Sequence, residues 1–297
     1  MLGIVAASTA LFASIGWASG IVLAQMPAKA LGAFEFTRIQ LIFCAALMGV
    51  LSSLFDLWPS IDWQHWPAFL VSSLGGILLG NLAMIECLRR GGPRLTELLL
   101  CLKAPVVAGL AYFWIGETIG PVDLLGGVLI LAGLVIAIRF GSQAEREEGV
   151  AGKRLLSVVL LGLLAATLQG AGFLAVKPAL TAGAEPVAVT AIRLLGAAAV
   201  ISLASIWPSQ AVRADTETSP YLLFRTIMPG VIGYGISSSL LLYAFANTQA
   251  GVAAVLGSLS PLCVLLILWA TKGKRPGLEA MAGTAIAVIG TAVIVLY

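Results

Sequence analysis

Apolar stretches of about twenty residues follow one another along almost the whole chain, with little sequence left between them. A helix of roughly 20 residues crosses the hydrocarbon core of a bilayer and satisfies its own backbone hydrogen bonds there. Hydropathy and helix-breaking residues therefore predict an all-α integral membrane protein with ten transmembrane helices. The predicted spans are residues 3–25, 33–55, 66–88, 95–115, 122–139, 155–177, 186–207, 226–246, 250–271 and 278–296.

The composition excludes several other classes of protein. Of the 297 residues, 60% are hydrophobic and 10% are charged, whereas about 25% of the residues of a soluble domain are charged. The net charge of +3 gives no sign of a nucleic-acid partner. One histidine, His65, and four cysteines within apolar runs form no familiar metal-ligand pattern. We expect no metal, no cofactor and no disulfide, and with no histidine inside a span we expect no enzyme activity.

The two halves of the sequence carry the same landmarks at nearly the same spacing. The pairs, at offsets of 155 to 157 residues, are Arg38 and Arg193, Pro105 and Pro261, Gly126 and Gly283, and Gly133 and Gly290. Each half contains five predicted spans, and an odd number makes the second half enter the membrane from the opposite side. The sequence predicts two inverted five-helix repeats, residues 1–140 and 155–297, with a polar linker at 141–154. The site is expected where the repeats meet.

Basic residues in the connections predict the orientation in the membrane. The even-numbered connections hold one basic residue, Lys177. The odd-numbered connections hold thirteen, namely Lys29, Arg89, Arg90, Arg94, Arg139, Arg146, Lys153, Arg154, Arg213, Arg225, Lys272, Lys274 and Arg275. This bias places the odd connections in the cytoplasm and both termini outside the cell.

The predicted fourth helix combines the length of a span with two charged residues and a proline. Glu97, Lys103 and Pro105 all lie within residues 96–117. Charges at this depth are costly unless they face other helices or a water-filled cavity, so this helix is expected to line a path. Pro105 and its counterpart Pro261 are expected to bend the helices that frame and gate the cavity. The alternative is a helix that is merely kinked, with Lys103 reaching the interface.

Ionisable residues inside spans are the first candidates for substrate contact, and they are Arg38, Glu86, Lys103 and Arg193. For the two arginines, the alternatives are an interfacial position or a structural ion pair such as Glu35 with Arg38. Glu86 is predicted to pair with Lys103 in the charged centre of the site, and a desolvated carboxylate also suits proton exchange. A zwitterionic substrate would compete for both partners of that pair.

Neutral candidates complete the predicted site. Asn81 and Gln169 are expected to act as hydrogen-bond partners near the meeting of the two halves. The rings expected either to wall the cavity or to anchor the protein at the interface are Trp17, Tyr112, Tyr234 and Tyr243.

Short motifs stand at corresponding places in the two halves. In the predicted first helices they are Trp17, Ala18 and Gln25, and Gln169, Gly170, Ala171, Gly172, Phe173 and Lys177. In the predicted second and fourth helices they are Arg38 and Arg193, Pro105 with Gly116 and Glu117, and Pro261. Together these motifs resemble the drug/metabolite transporter superfamily, in its EamA-type branch of paired five-helix domains, over nearly the whole chain.

The sequence departs from that family at two places. In the second half, Lys272, Gly273 and Lys274 stand where the family has a glutamate. The family usually keeps both termini in the cytoplasm and has a basic second connection, whereas residues 55–66 are acidic and aromatic here. The charge count therefore predicts an orientation opposite to that of the family.

The resemblance implies a secondary transporter that moves a small metabolite, such as an amino acid or a related compound, across the cell (inner) membrane by alternating access. Proton coupling and exchange both stay open, as do the monomer and the homodimer. The expected substrate contacts are Trp17, Arg38, Asn81, Glu86, Lys103, Gln169, Lys177, Arg193 and Tyr234. The alternative is a non-transporting scaffold or a lipid translocator, which a lipid-open apolar groove would indicate.

Overall fold

The computed structural model describes residues 2–115, 120–139, 153–206, 219–237, 240, 259–273 and 277–296. Within these residues all the regular structure is helical, which confirms the predicted all-α fold. The α-helices are α1 (Leu2–Leu54), α2 (Trp66–Val71), α3 (Gly80–Leu100), α4 (Lys103–Ile115), α5 (Pro121–Arg139), α6 (Lys153–Thr181), α7 (Pro186–Ala204), α8 (Pro220–Gly230), α9 (Ser260–Lys272) and α10 (Leu278–Leu296). Two short 3-10 turns, Trp58–Ser60 and Trp63–His65, precede α2.

Several of these helices are long and apolar enough to cross a membrane. In the described part of the chain, four stretches meet both conditions: Ser8–Leu54, Trp63–Leu100, Arg154–Leu180 and Pro186–Ala204. Shorter apolar helices cover Leu124–Ala137, Ser260–Thr271 and Leu278–Val293. The predicted spans at 226–246 and 250–271 lie partly outside the described residues, so the count of ten stays a prediction.

Two glycines break helices that otherwise run on without a loop. Gly32 in α1 has φ 82° and ψ 163°, and Gly92 in α3 has φ 76° and ψ 172°. Only glycine adopts such a positive φ at little cost, and Pro93 disfavours a helical conformation at Gly92 as well. Each break separates two predicted spans. The sequence predicted the first span to end at residue 25, whereas α1 continues through Pro27 to the break.

The third helix of each half contains a π-helix. The first π-helix, Ser72–Leu79, joins α2 to α3, and the second π-helix, Val231–Ser237, follows α8. These segments occupy equivalent places, because Gly76 and Gly233 stand 157 residues apart. π-Helices are rare and often lie at functional sites. The sequence did not predict them.

The contact between α5 and α10 shows how the two repeats are related. A Cβ atom added at Gly283 would lie 2.8 Å from the carbonyl oxygen of Gly133, and one at Gly290 would lie 2.7 Å from that of Gly126. Residue numbers rise along one helix as they fall along the other, so the two helices are antiparallel. Because α5 and α10 are the final helices of the two halves, their antiparallel contact indicates inverted repeats. The absence of side chains permits this close approach.

The halves also interlock through their first and third helices. Gly76 in the first π-helix packs on α6 of the other half, where an added Cβ would lie 2.9 Å from the Cα of Gly172. In the equivalent contact, a Cβ added at Gly233 in the second π-helix would lie 3.0 Å from the ring of Trp17 on α1. Each π-helix therefore packs against the first helix of the opposite half.

Candidate functional site

Three of the predicted site residues meet beside the π-helices. The amide nitrogen Nδ2 of Asn81, on α3, donates a hydrogen bond to the hydroxyl of Tyr234 in the second π-helix. The ring of Trp17 meets that of Tyr234 edge to face, with centroids 6.2 Å apart. Asn81 is buried. This group joins the first half of the chain to the second inside the bundle.

Arg193 lies next to this group on α7. Its side chain is deeply buried, with only 6% of the residue exposed. The guanidinium carbon lies 4.9 Å from the centroid of the Phe173 ring on α6, within the range of a cation–π contact. A Cβ added at Gly76 would lie 3.7 Å from Nη2, so the guanidinium also borders the first π-helix. Arg193 and Tyr234 are close enough to interact electrostatically.

Lys103 begins α4 at an interruption in the predicted fourth helix. The amides of Cys101 and Leu102 bond to the carbonyls three residues back, at 3.2 and 3.0 Å, in place of the α-helical bonds four residues back. Pro105 has no amide hydrogen to give to the carbonyl of Cys101, which accounts for a break at this point. Pro105 thus lies in the first turn of α4, and Pro261 lies in the first turn of α9.

The amine of Lys103 reaches across to the other half. Its Nζ donates to the side-chain oxygen Oε1 of Gln169 on α6 at 2.9 Å. The Nε2 of Gln169 in turn lies 3.5 Å from the sulfur of Met84 on α3. The amine of Lys103 is therefore bonded to the second half of the chain. The sequence predicted Lys103 in the charged centre of the site and Gln169 as a neutral hydrogen-bond partner there, and the two residues do bond to each other.

Glu97, near the end of α3, bonds to the start of α9. Only 8% of the residue is exposed, and its carboxylate accepts a hydrogen bond of 2.9 Å from the hydroxyl of Ser260, the first residue of α9. Glu97 and Lys103 are close enough to act on one another electrostatically. Sequence analysis identified Glu97 as a charge within a span but did not assign it to the site. That unusual position was itself the available signal.

Glu86 does not pair with Lys103, so that prediction is wrong. Its two carboxylate oxygens accept hydrogen bonds from Arg89 at 2.7 Å and Arg90 at 2.6 Å. These arginines are three and four residues along the same helix, where side chains are natural neighbours. Arg90 also donates to the hydroxyl of Ser157 on α6 at 2.7 Å. The glutamate is thus satisfied locally, before the break at Gly92.

The remaining predicted residues lie apart from this cluster or are not described. Arg38 donates two hydrogen bonds to Glu35, at 2.6 and 2.7 Å, which is the structural ion pair considered as an alternative above. Lys177 is exposed near the end of α6. Tyr112 is 48% exposed and contacts Phe113 edge to face. Tyr243 and Glu117 lie outside the described residues.

A groove of about 770 Å³ lies between α1, α3 and α6. Its wall is mainly apolar, and its charged residues are Glu35, Glu86 and Arg89. Leu79 and Leu164, which line it, are each about half exposed on the outside of the bundle. Two residues of its wall, Leu168 and Ala83, directly precede Gln169 and Met84 in the sequence. The groove is therefore distinct from the polar cluster but borders it.

These features define a helical membrane protein of two interlocked repeats with a polar cluster buried between them. The model of the EamA-like transporter family matches residues 4–139 and 156–296 separately. The chain belongs to this family, a family of transporters, which confirms the resemblance and the two repeats. No curated protein matches the sequence significantly. A protein of known crystal structure is similar in fold, with a TM-score of 0.69 and 19% identity over 97% of this chain and 95% of the other.

Proposed function

We propose that this protein is a secondary transporter that moves a small metabolite, such as an amino acid or a related compound, across the cell (inner) membrane by alternating access. One observation carries this proposal. Three hydrogen bonds inside the apolar bundle each join a residue of the first half to one of the second: Asn81 with Tyr234, Lys103 with Gln169, and Glu97 with Ser260. Membrane proteins seldom bury such groups without a functional reason.

The position of these bonds suggests how the halves move. When one repeat rocks against the other, these three side-chain bonds are among the contacts between the halves that change, and a bound metabolite replaces them. In inverted-repeat transporters the site lies near the bilayer midplane, where interrupted helices expose polar backbone groups. The interruption at Cys101 and Leu102, before Pro105, meets this description. Both prolines then belong to the segments that gate the site.

Glu97 replaces Glu86 as the residue proposed to carry a coupling proton. It is buried, lies beside Lys103 and spans the two halves. Glu86, in contrast, is held by two arginines of its own helix. A carboxylate bound to a mobile partner is suited to gain and lose a proton as the halves separate. Exchange of two metabolites without a proton is the competing mechanism.

Transport by the purified protein in proteoliposomes tests the proposal. We expect at least one member of a panel of labelled amino acids and small organic acids to enter faster than in protein-free liposomes. Asn81→Ala and Gln169→Ala should lower that uptake about tenfold or more at equal protein content. Ser19→Ala is the matched control, because within the described part of the chain the Ser19 hydroxyl bonds to Ile15 of its own helix and not to the other half. Uptake equal to that of protein-free liposomes for the whole panel would contradict the proposal.

The apolar groove favours a second candidate function, the movement of lipid. Its size suits an acyl chain, and its leucines open toward the outside of the bundle. Fluorescent phospholipid in the same proteoliposomes distinguishes the two candidates. Lipid movement that persists in Gln169→Ala but is lost in Ala83→Trp, which fills the groove, would favour lipid translocation. The reverse pattern would favour the polar cluster.

A further inference from the structure

Arg193 is a buried cation to which the described residues offer no carboxylate. It is 6% exposed, its face contact is the Phe173 ring, and its Nε has no hydrogen-bond partner within the described part of the chain. Residues 238–258, which continue beyond the second π-helix, contain no aspartate or glutamate. Arginine stays protonated in proteins, so neutralisation does not remove the penalty of burying it. A negatively charged group of a bound ligand would remove this penalty.

The repeat provides an internal comparison. Arg38, the counterpart of Arg193, has a side chain that is 32% exposed and bound to Glu35 three residues before it. The residue three before Arg193 is Thr190, whose hydroxyl donates to the carbonyl of Pro186 at 2.8 Å. The more exposed arginine therefore has an acidic partner in the chain, and the buried one has none at the equivalent position. This difference distinguishes Arg38, which forms a structural ion pair, from Arg193, whose guanidinium is left to bind a ligand.

The surroundings of Arg193 indicate what kind of anion fits. Gln169 and Phe173 are four residues apart on α6, so they lie on one face of that helix with Cβ atoms roughly 5–6 Å apart. Lys103 contacts the first and Arg193 the second, and the two cations are near enough to act on each other electrostatically. Glu97 acts electrostatically on Lys103 and offsets its charge, whereas Arg193 has no such neighbour among the described residues. Glu97, Lys103 and Arg193 together therefore carry a net charge of one positive unit. A carboxylate supplies one negative charge and matches the planar guanidinium, while a phosphate carries closer to two.

We propose that Arg193 binds the carboxylate group of the transported metabolite, beside Phe173, Gly76 and Tyr234. The substrate class is then a small organic anion or a zwitterion with a free carboxylate. The remainder of the molecule faces Lys103, Gln169 and Asn81, which supply hydrogen bonds. The assignment of the ligand as a substrate rests on the proposed transport function, whereas carboxylate binding at Arg193 does not.

A pair of substitutions at Thr190 tests the binding directly. Thr190→Glu gives Arg193 the internal partner that Glu35 gives Arg38, and Thr190→Gln has the same size without the charge. The melting temperature of the purified full-length protein is measured with potassium acetate, alanine, potassium phosphate and ethanolammonium chloride, against potassium chloride at equal ionic strength. A ligand that binds the native state raises its apparent stability by RT ln(1 + c/Kd) at ligand concentration c, so the rise grows with ligand concentration.

We expect acetate and alanine, which share a carboxylate, to raise the melting temperature of the wild type and of Thr190→Gln. Thr190→Glu should lose that response, and should melt higher than Thr190→Gln without ligand because its buried cation is paired. Glu35→Thr, the equivalent change in the first half, should keep the response. If Thr190→Glu does not fold, Arg193→Gln provides the same comparison, because it should lose the response as well.

Three results would overturn the proposal: no rise in melting temperature with either carboxylate in the wild type, an equal rise in Thr190→Glu and Thr190→Gln, or a larger rise with phosphate or ethanolammonium.

Flux in proteoliposomes separates this proposal from the proposed function. A carboxylate response without flux would leave the anion site standing and contradict transport. Flux of neutral or cationic compounds without a carboxylate response would leave transport standing and contradict the anion site.

Discussion

At the scale of residues, the polar groups inside the bundle are of two kinds. Glu35 and Glu86 are satisfied by arginines one turn along their own helices. Asn81 and Glu97 are satisfied only across the meeting of the two halves. Pairs within a helix contribute about 0.2–0.5 kcal/mol each and leave the helices free to move. Bonds between halves must change whenever the halves move, so these residues are expected to control transport.

Glu97→Gln tests the proposed role in proton coupling. The amide keeps a hydrogen-bond acceptor for Ser260 but has no proton to exchange and no charge to offset Lys103. We expect the variant to fold and to lose accumulation driven by a pH gradient, while exchange of labelled for unlabelled substrate continues. Uptake by proteoliposomes with and without an imposed gradient measures both activities.

Ser260→Ala is the complementary control, because it removes the hydrogen bond between Ser260 and Glu97 and leaves the carboxylate. It should retain a response to the gradient. If Glu97→Gln accumulates substrate as the wild type does, Glu97 does not carry the coupling proton.

At the scale of elements, the two π-helices and the interrupted fourth helix determine where the polar cluster lies. The interruption could be predicted from Pro105, because proline removes a specific backbone bond. The π-helices could not. Residues 72–79 are small or apolar, and such a composition fits α- and π-helical hydrogen bonding equally well in a membrane segment. The segment packs against Gly172, to whose carbonyl the Ser72 hydroxyl donates a hydrogen bond across 100 residues of sequence. No local pattern predicts so distant a contact.

Gly75 and Gly76 allow this packing to be tested with neighbouring substitutions. A Cβ at Gly76 would lie 2.9 Å from the Cα of Gly172, a backbone atom that has little freedom to move, whereas a Cβ at Gly75 would have nothing within 4 Å. Overpacking of this kind typically costs about 1–3 kcal/mol. Gly76→Ala should therefore lower the melting temperature and the transport rate, and Gly75→Ala should leave both close to the wild type. Thermal unfolding of the two purified variants measures the difference, and equal melting temperatures would show that the first π-helix does not depend on this contact.

At the scale of the molecule, the sequence predicted the class of fold and the repeats better than it predicted the site. Hydropathy and the regular offsets identify helices and halves because both signals are local or periodic. The partner of Lys103 depends on how the halves dock, which no local pattern records. Glu86 was placed wrongly for a physical reason: a charge near the end of a span is satisfied most easily by arginines three and four residues away. Trp17, Asn81 and Tyr234 were identified individually but not as contacts of one another.

The orientation in the membrane remains a prediction from thirteen basic residues against one. A single cysteine at Ser142, in a cysteine-free background, should be protected from an impermeant thiol reagent in intact cells and should react after the membrane is permeabilised. A cysteine at Gln64, in the second connection, should react in both conditions. The opposite pattern of labelling would place the termini in the cytoplasm, as is usual in the family.

The contact between α5 and α10 has a mechanical consequence. The two helices meet backbone to backbone at Gly126, Gly133, Gly283 and Gly290, where the glycines place no side chain of their own between them. Such a contact resists sliding but permits a small rotation about its own length, so we expect it to act as the hinge. Displacement then increases with distance from this axis. A rotation of a few degrees would leave α5 and α10 in contact but would separate Asn81 from Tyr234. We therefore expect a crosslink between α5 and α10 to leave transport intact. A crosslink between α3 and the second π-helix should stop it.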